Sequence, residues 1–168
     1  MGVGQTRPGL ETNNGRITDM SLFAASQDVP EVRVEMKLTG GQLSTKQAFG
    51  LESSMMVARR SPGYHSRPHA HNSEQLNYVA EGEIWIYVQD KAFRLKSGDF
   101  LRVPRLAVHW AWNKSERDCM LIESHTPGLD ILPRDKTVAL LDHGEDESQI
   151  ARAGQIWASD DYLSVEKT

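Results

Sequence analysis

The stretch GYHSRPHAHNSEQLNYVAEG, residues 63–82, decides the fold of this 168-residue chain. Two of its histidines, His69 and His71, are separated by one residue and lie between Gly63 and Gly82. On a β-strand, residues two apart point to the same face and lie roughly 6.5 Å apart along the backbone. Two imidazoles placed in this way inside a barrel can share one cation, and neutral imidazole suits zinc, copper, iron and nickel. A His-x-His pair alone matches often by chance, so its surroundings decide its meaning.

Outward from this stretch, short apolar runs alternate with turn residues between Gly50 and Ser124. The runs predict strands at residues 53–60, 75–80, 83–89, 91–95, 100–103, 108–113 and 119–124. Apolar residues that alternate from Val32 to Leu38 predict one more strand, ended by Gly40-Gly41. Many short strands at this spacing, with no long amphipathic helix between them, indicate an all-β barrel or sandwich.

A second stretch, GDFLRVPRLAVHWAWN at residues 98–113, adds a further histidine. Together the two stretches resemble the two sequence motifs of the cupin superfamily, in order and in separation. The first motif matches at Gly63, His69, His71 and Gly82, with Gln75 at its usual glutamate position. The second matches at Gly98, Pro104, His109 and Asn113, with Leu106 at its second glycine position. Fifteen residues separate the two motifs, a spacing found in compact microbial cupins.

The resemblance implies a small double-stranded β-helix, the jelly-roll barrel of a single-domain, metal-binding cupin. It implies that one divalent ion per chain, zinc, iron, nickel or manganese, is held by His69, His71, Gln75 and His109. Glu74 is the alternative fourth ligand, but the spacing to Gly82 fits Gln75. With Gln75 as ligand, all protein ligands are neutral and the ion keeps its full charge, which favours an anionic substrate or an enolate.

Four residues near this site are candidates for catalysis, namely Asn77, His65, Arg59 and Arg102. Strand alternation places Asn77 on the same face as Gln75, either as a pocket group or as a buried amide bonded to backbone. His65 is either a base near the metal or a loop residue, and the loop is the favoured interpretation. An inward-pointing arginine would pair with a carboxylate substrate, but alternation does not settle which face Arg59, Arg60 or Arg102 occupies.

The composition excludes several classes of protein. The net charge of −4 at pH 7 argues against a general nucleic-acid binder, which usually has a basic surplus. The lone cysteine, Cys119, excludes a secreted disulfide scaffold. No stretch approaches the roughly 20 apolar residues that cross a bilayer, and residues 1–15 lack the apolar segment of a secretory signal. We therefore expect a cytoplasmic protein without a nucleic-acid or membrane partner.

The chain divides into three segments. Residues 1–30 form an irregular N-terminal arm, residues 31–125 the barrel with its motifs at 63–82 and 98–113, and residues 126–168 a C-terminal tail. The tail is expected to be irregular or to hold one short helix, and to pack on the barrel or on a partner subunit. Cupins of this size often form dimers by sheet addition, so the resemblance implies a homodimer in which the strand Val32–Leu38 supplies the exchanged edge.

The resemblance leaves three functions open. The favoured one is a metal-dependent enzyme that acts on a small polar molecule, bearing a carboxylate or an enol, by the Lewis-acid chemistry of an isomerase, cyclase, lyase or decarboxylase. The second is an iron-dependent dioxygenase with the same ligands. The third is a non-catalytic cupin that binds or senses a small molecule. A DNA-binding regulator is disfavoured because residues 1–45 lack the helical periodicity of a helix-turn-helix domain.

Overall fold

The computed structural model of the chain describes residues 22–37 and 39–167. Its strands are β1 (Val32–Glu35), β2 (Gln42–Phe49), β3 (Ser54–Arg60), β4 (His69–His71), β5 (Glu74–Glu81), β6 (Glu83–Val88), β7 (Lys91–Lys96), β8 (Phe100–Val103), β9 (His109–Trp112), β10 (Cys119–Thr126), β11 (Gly128–Leu129), β12 (Val138–Ala139), β13 (Arg152–Ala153) and β14 (Gln155–Trp157). Short 3-10 helices cover Ser26–Asp28, Arg134–Lys136, Glu147–Gln149 and Asp160–Lys167. Across the described ranges, every helix is too short or too polar to span a bilayer.

Two β-sheets form the walls of a barrel. The larger sheet has the strand order β1-β2-β3-β10-β5-β8, with β12 added beside β2, and the smaller has the order β14-β4-β9-β6-β7. Neighbouring strands are antiparallel except for β12 beside β2 and for a separate pair formed by β11 and β13. This arrangement confirms the all-β jelly-roll fold.

The apolar core lies between the two sheets. Val79 and Leu121 reach it from the larger sheet, and Ile84 and Ile86 from the smaller one. Each of these side chains is almost completely buried, and burial of one such side chain stabilises the fold by about 1.5–3 kcal/mol. Because Ile86 and Leu121 also line the cavity described below, the core forms part of the wall of that cavity.

The strand β2 was not foreseen from the sequence. It turns Thr45 and Gln47 into the barrel between Leu43 and Phe49, so two polar residues interrupt the apolar pattern of its inward face. The Gln47 amide nitrogen instead donates to the backbone oxygen of Leu129 over 2.7 Å. The strand expected over 32–38 ends earlier, at Glu35, and Leu38 lies outside the described residues. Residues 1–21 of the expected N-terminal arm also lie outside them.

The C-terminal segment packs on the barrel of its own chain. Its strand β14 pairs with β4, so that Gln155 lies opposite His71 and Trp157 opposite His69. Its last described element is the 3-10 helix Asp160–Lys167. The tail therefore extends the smaller sheet beside the strand that carries two histidines, while the segment boundaries and the homodimer stay predictions.

Two turns of the barrel need an unusual backbone. Gly82 has φ +76°, and a Cβ atom there would lie 2.4 Å from the backbone oxygen of Asp118, so only glycine fits. Leu106, at the motif's second glycine position, has φ +63°. Its backbone N–H donates to the oxygen of His71 over 2.9 Å. The turn thus forms with leucine and joins the strand of His71 to the loop before His109.

Candidate metal centre and cavity

Three histidines from two neighbouring strands converge on one point. His69 and His71 lie on β4, His109 begins β9, and His69 and His109 are direct partners in the sheet. One ring nitrogen from each lies within 4.8 Å of the others. The ring centroids are 4.5–4.9 Å apart. The sheet register therefore brings three imidazoles close enough together that they could hold one metal ion.

Backbone carbonyls orient two of the imidazoles. The Nδ1 atom of His69 lies 2.6 Å from the oxygen of Arg67, and that of His109 lies 3.0 Å from the oxygen of Ala107. Since a carbonyl only accepts, each Nδ1 carries a proton and each Nε2 is left with its lone pair free. His71 has a buried Nδ1 without a hydrogen-bond partner among the residues described. All three rings thus have nitrogen available to a metal.

Burial keeps these imidazoles neutral. Burial, reinforced by the neighbouring imidazoles, lowers the pKa of His71 to about 2. The same two causes lower the pKa of His109 to about 3. The pKa of His69 is lowered as well, chiefly by burial. Neutral imidazole is the form that binds a metal, so the site is ready for an ion at physiological pH.

Gln75 faces the same cavity from the opposite sheet. Its buried amide nitrogen donates to Oδ1 of Asn77 over 2.8 Å, which fixes the orientation of the amide. Its Oε1 is buried and accepts no hydrogen bond within the described part of the chain. Glu74 points to the outer face, where it accepts from Nε of Arg102 over 2.6 Å. The free oxygen at this site therefore belongs to Gln75, and its role as a fourth ligand stays a prediction.

These donors fit a divalent transition ion. Three neutral imidazole nitrogens suit zinc, iron, nickel or manganese, and a carboxamide oxygen is an accepted further ligand. An unpartnered buried oxygen costs free energy, which a bound cation would relieve. His69, His71, His109 and Gln75 would hold the ion.

Replacing Gln75 with alanine should weaken metal binding by about tenfold, less than the loss of a histidine, because the amide oxygen is the weakest donor of the set. Glu74→Ala is the matched control, since its side chain lies on the outer face. Titration with zinc against a competing chelator measures both affinities. A larger loss in Glu74→Ala than in Gln75→Ala would show that the fourth ligand is Glu74.

A cavity of about 400 Å³ contains the histidine cluster. Asn77 and Glu123 line it from the larger sheet together with Arg60, and Gln155 and Trp157 line it from the C-terminal tail. Arg60 and Glu123 form a buried ion pair. Sequence reasoning did not identify Glu123, although it shares a strand face with the buried residues Leu121 and His125, a signal that was available.

Residues 56–125 match the family model described as a cupin domain. This segment of the chain is therefore a cupin domain. It is similar to an RmlC-like cupin from Shewanella frigidimarina at 25% identity, over 62% of this chain and 89% of that one, with a TM-score of 0.51. A putative sugar phosphate isomerase from Acidithiobacillus ferrooxidans shares 18% identity over 63% of this chain and 75% of that one, with a TM-score of 0.50, which shows the fold alone. No protein with a curated description matches the chain.

The cupin barrel turns two of the candidate arginines away from the cavity. Arg59 lies on the outer face of β3, 3.4 Å from Asp118, and Arg102 lies on the outer face beside Glu74. The arginine that enters the cavity is Arg60, which follows Arg59 on the strand. Arg59 and Arg102 thus occupy the outer faces of their strands, and neither can contact a ligand in the cavity.

His65 borders the cavity of the cupin, but its ring is engaged elsewhere. It forms a β-bridge with Trp112 and packs edge-on against that ring. Its Nε2 lies 2.6 Å from Oε1 of Glu166 in the C-terminal helix. Residues paired in a bridge point to the same face, so the His65 ring lies with Trp112 on the outer face. It helps to anchor the tail, and it is not placed as a base for the cavity.

The buried ion pair is fixed by neighbours on both sides. Burial favours a higher pKa for the Glu123 carboxyl, but Arg60 and His125 outweigh burial and the pKa lies well below its ordinary range. Burial likewise favours a lower pKa for Arg60, but Glu123 and Tyr64 outweigh it and the pKa is raised. Oε2 of Glu123 lies 3.5 Å from Nε2 of His125. Both members are therefore charged inside the cavity.

The metal-free cupin should lose stability as the pH falls from 7 to about 5. Unfolded histidines take up protons near their ordinary pKa of 6.5, whereas folded His71 and His109, with lowered pKa values, stay neutral. The unfolded state then binds more protons, so the free energy of unfolding falls by about 2 kcal/mol for each of the two groups. Urea unfolding at both pH values measures the change. Glu123 contributes little to the change in stability between pH 7 and pH 5. Its pKa is lowered in the folded state, and in the unfolded state its carboxyl takes up a proton mainly below pH 5.

His143→Ala is the control for this pH effect, since that histidine is exposed. Its pH dependence should equal that of the wild type. Equal wild-type stability at the two pH values would contradict the burial of neutral imidazoles.

Proposed function

We propose that this cupin is a metal-dependent enzyme that acts on a small carboxylate- or enol-bearing molecule by Lewis-acid chemistry, as an isomerase, cyclase, lyase or decarboxylase. One observation carries the proposal. Three neutral histidines and the free oxygen of Gln75 line a cavity of about 400 Å³ that also contains an ionised carboxylate, Glu123. A ligand site of this volume admits a small organic molecule, and its polar groups are few and convergent.

Each part of the site has a role in this proposal. A bound divalent ion would polarise a carbonyl or carboxylate of the substrate. Glu123 is the one ionised carboxylate that the described residues place inside the cavity, so it is assigned here as the group that accepts a proton from the substrate. Arg60 lowers the pKa of Glu123, and an anionic substrate group beside Arg60 would raise that pKa toward the range of a base. Asn77 orients the Gln75 amide through its 2.8 Å hydrogen bond. It thus acts as a positioning residue.

Glu123, the proposed proton acceptor, lies next to the polar side chain of His125. His125, completely buried, lies 3.5 Å from Glu123 through Nε2 and 3.4 Å from the Ser73 hydroxyl through Nδ1. Its ring also packs edge-on against His71, with centroids 5.3 Å apart. This contact links the carboxylate to the metal-binding strand. His125 therefore lies in contact with both Glu123 and the histidine cluster.

The test follows conversion and oxygen uptake together. Zinc-, nickel-, manganese- and iron-loaded protein is incubated in D₂O with a panel of small hydroxy, keto and enol acids, and proton NMR records conversion or exchange. An oxygen electrode runs in parallel. Metal-dependent conversion or exchange without oxygen uptake would support the proposal. Oxygen uptake by the iron-loaded protein would indicate an iron-dependent dioxygenase in place of the proposed Lewis-acid enzyme. Binding of a panel member without any turnover would indicate a non-catalytic binding protein.

Glu123→Gln should lower such turnover by about a hundredfold while the metal content stays unchanged. Glutamine cannot take the proton, yet its oxygen can still accept from Arg60. Glu81→Gln is the matched control, since Glu81 is exposed at the end of β5. Equal activity of Glu123→Gln and wild type would exclude Glu123 as the proton acceptor.

A further inference from the structure

Arg60 has donors that the described residues leave unused. A guanidinium carries five N–H groups on three nitrogens. Nη2 of Arg60 bonds Glu123, whereas Nε and Nη1, which carry three of the five N–H groups, have no hydrogen-bond partner among residues 22–37 and 39–167. Only 5% of the residue is exposed. Buried donors without a partner are rare in folded proteins and cost about 1–3 kcal/mol each.

The guanidinium is also held in a defined position. Its carbon lies 5.2 Å from the centroid of the Tyr64 ring, and Tyr64 is itself buried. Glu123 fixes the second nitrogen and is held by His125 in turn. A cation that is fixed in this way, with N–H groups left free, is prepared for an anionic oxygen and loses little side-chain entropy on binding.

The charges of the cavity favour a single carboxylate over a dianion. Glu123 balances the single positive charge of Arg60, so the pair carries no net charge. The other arginine that lines the cavity, Arg67, has a 61% exposed side chain and pairs with Asp160 at 3.6 Å. A buried guanidinium with free N–H groups but no surplus charge suits one carboxylate, whereas a phosphate dianion usually requires several cations.

The structure has Arg60 and the histidine cluster in one cavity, from two different sheets. We propose that Arg60 binds the carboxylate of a small hydroxy or keto acid whose hydroxyl or carbonyl oxygen faces the histidine cluster. The placement of the hydroxyl or carbonyl oxygen at the histidine cluster rests on the proposed function. The binding of the carboxylate rests on Arg60 alone. Arg60 is thus a substrate-binding residue that selects acids over their neutral analogues.

The test compares acids with their neutral amides on the metal-free protein. The probes are glycolate, lactate and pyruvate, each with its amide, and binding is measured by calorimetry and by the shift in melting temperature. At least one acid should bind ten times more tightly than its amide. The negatively charged carboxylate forms stronger hydrogen bonds with the Arg60 guanidinium than the neutral amide oxygen does. Absence of any preference for acids in the metal-free wild type would overturn the proposal.

Arg60→Lys and Arg59→Lys form a matched pair. Lysine at position 60 keeps the positive charge beside Glu123 but lacks the guanidinium, so it should lose the preference for acids by tenfold or more. Arg59→Lys, on the outer face, should bind as the wild type does. Equal preference in both variants would overturn the role of Arg60. Should Arg60→Lys not fold, the acid and amide comparison on the wild type still decides.

Metal content is measured on the same samples, so that two failures can be told apart. Protein that binds metal but shows no preference for acids would retain the proposed function and lose the Arg60 site. Protein that prefers acids but binds no metal would retain the Arg60 site and lose the proposed function.

Discussion

Replacing His109 with alanine should remove bound metal from the protein while the barrel stays folded. Structural zinc sites bind with about 10–16 kcal/mol, so one ligand of four is worth about 3 kcal/mol, or somewhat more than a hundredfold in affinity. His69→Ala should behave in the same way, because the two rings are partners in the sheet. Metal content by elemental analysis and affinity by chelator competition measure the loss.

The barrel survives the loss of His109 because the ring lines an existing cavity. Circular dichroism and the melting temperature of the metal-free protein check this. His143→Ala is the control, since that side chain is exposed and far from the motif in sequence. Retention of one metal ion per chain in both His69→Ala and His109→Ala would exclude the histidine cluster as the site.

Breaking the ion pair of Arg60 and Glu123 should have the largest effect on stability. Arg60→Met leaves an ionised carboxylate buried without its partner, which costs about 3–5 kcal/mol in the free energy of unfolding. Glu123→Leu should cost a similar amount. The double variant should regain most of the loss, since a packed apolar pair needs no charge partner. Urea unfolding of the four proteins gives the coupling energy directly.

The outer pair of Arg59 with Glu81 provides the control for this cycle. Its atoms lie 3.9 Å apart and both side chains are about half exposed or more. Arg59→Met should therefore change stability by less than about 1 kcal/mol. Equal losses in Arg59→Met and Arg60→Met would contradict the account of a buried, fixed ion pair.

Strands were predictable where side chains alternate between apolar and polar. On β5, Gln75, Asn77 and Val79 are buried while Leu76 is half exposed, as the alternation from Gln75 predicted. β2 does not follow this pattern, because its inward Gln47 is polar and donates its amide N–H to a backbone oxygen 82 positions away. Such a partner comes from the tertiary fold, so no local pattern in the sequence signals it.

The histidines could be found from the sequence because strand and turn geometry fix their spacing. His69 and His71 share a face by local pleating, and the two motifs occur in a set order. Arg60 and Glu123 are 63 positions apart and meet only in the fold. A charged residue on a strand ordinarily faces solvent, and alternation along a single strand does not show that these two side chains would meet inside the barrel.

The tail was predictable only in outline. The sequence suggested an irregular segment, whereas β14 pairs with β4 and places Trp157 5.9 Å from the His69 ring. The strand has three residues, too few for a recognisable alternation. Its placement depends on the open edge of β4, which is a property of the folded sheet.

The histidine cluster is expected to hold a divalent metal ion. Elemental analysis of untagged protein, purified without chelator, measures this. About one zinc, iron, nickel or manganese ion per chain is expected. Absence of metal, even after reconstitution with each of the four ions, would contradict this expectation.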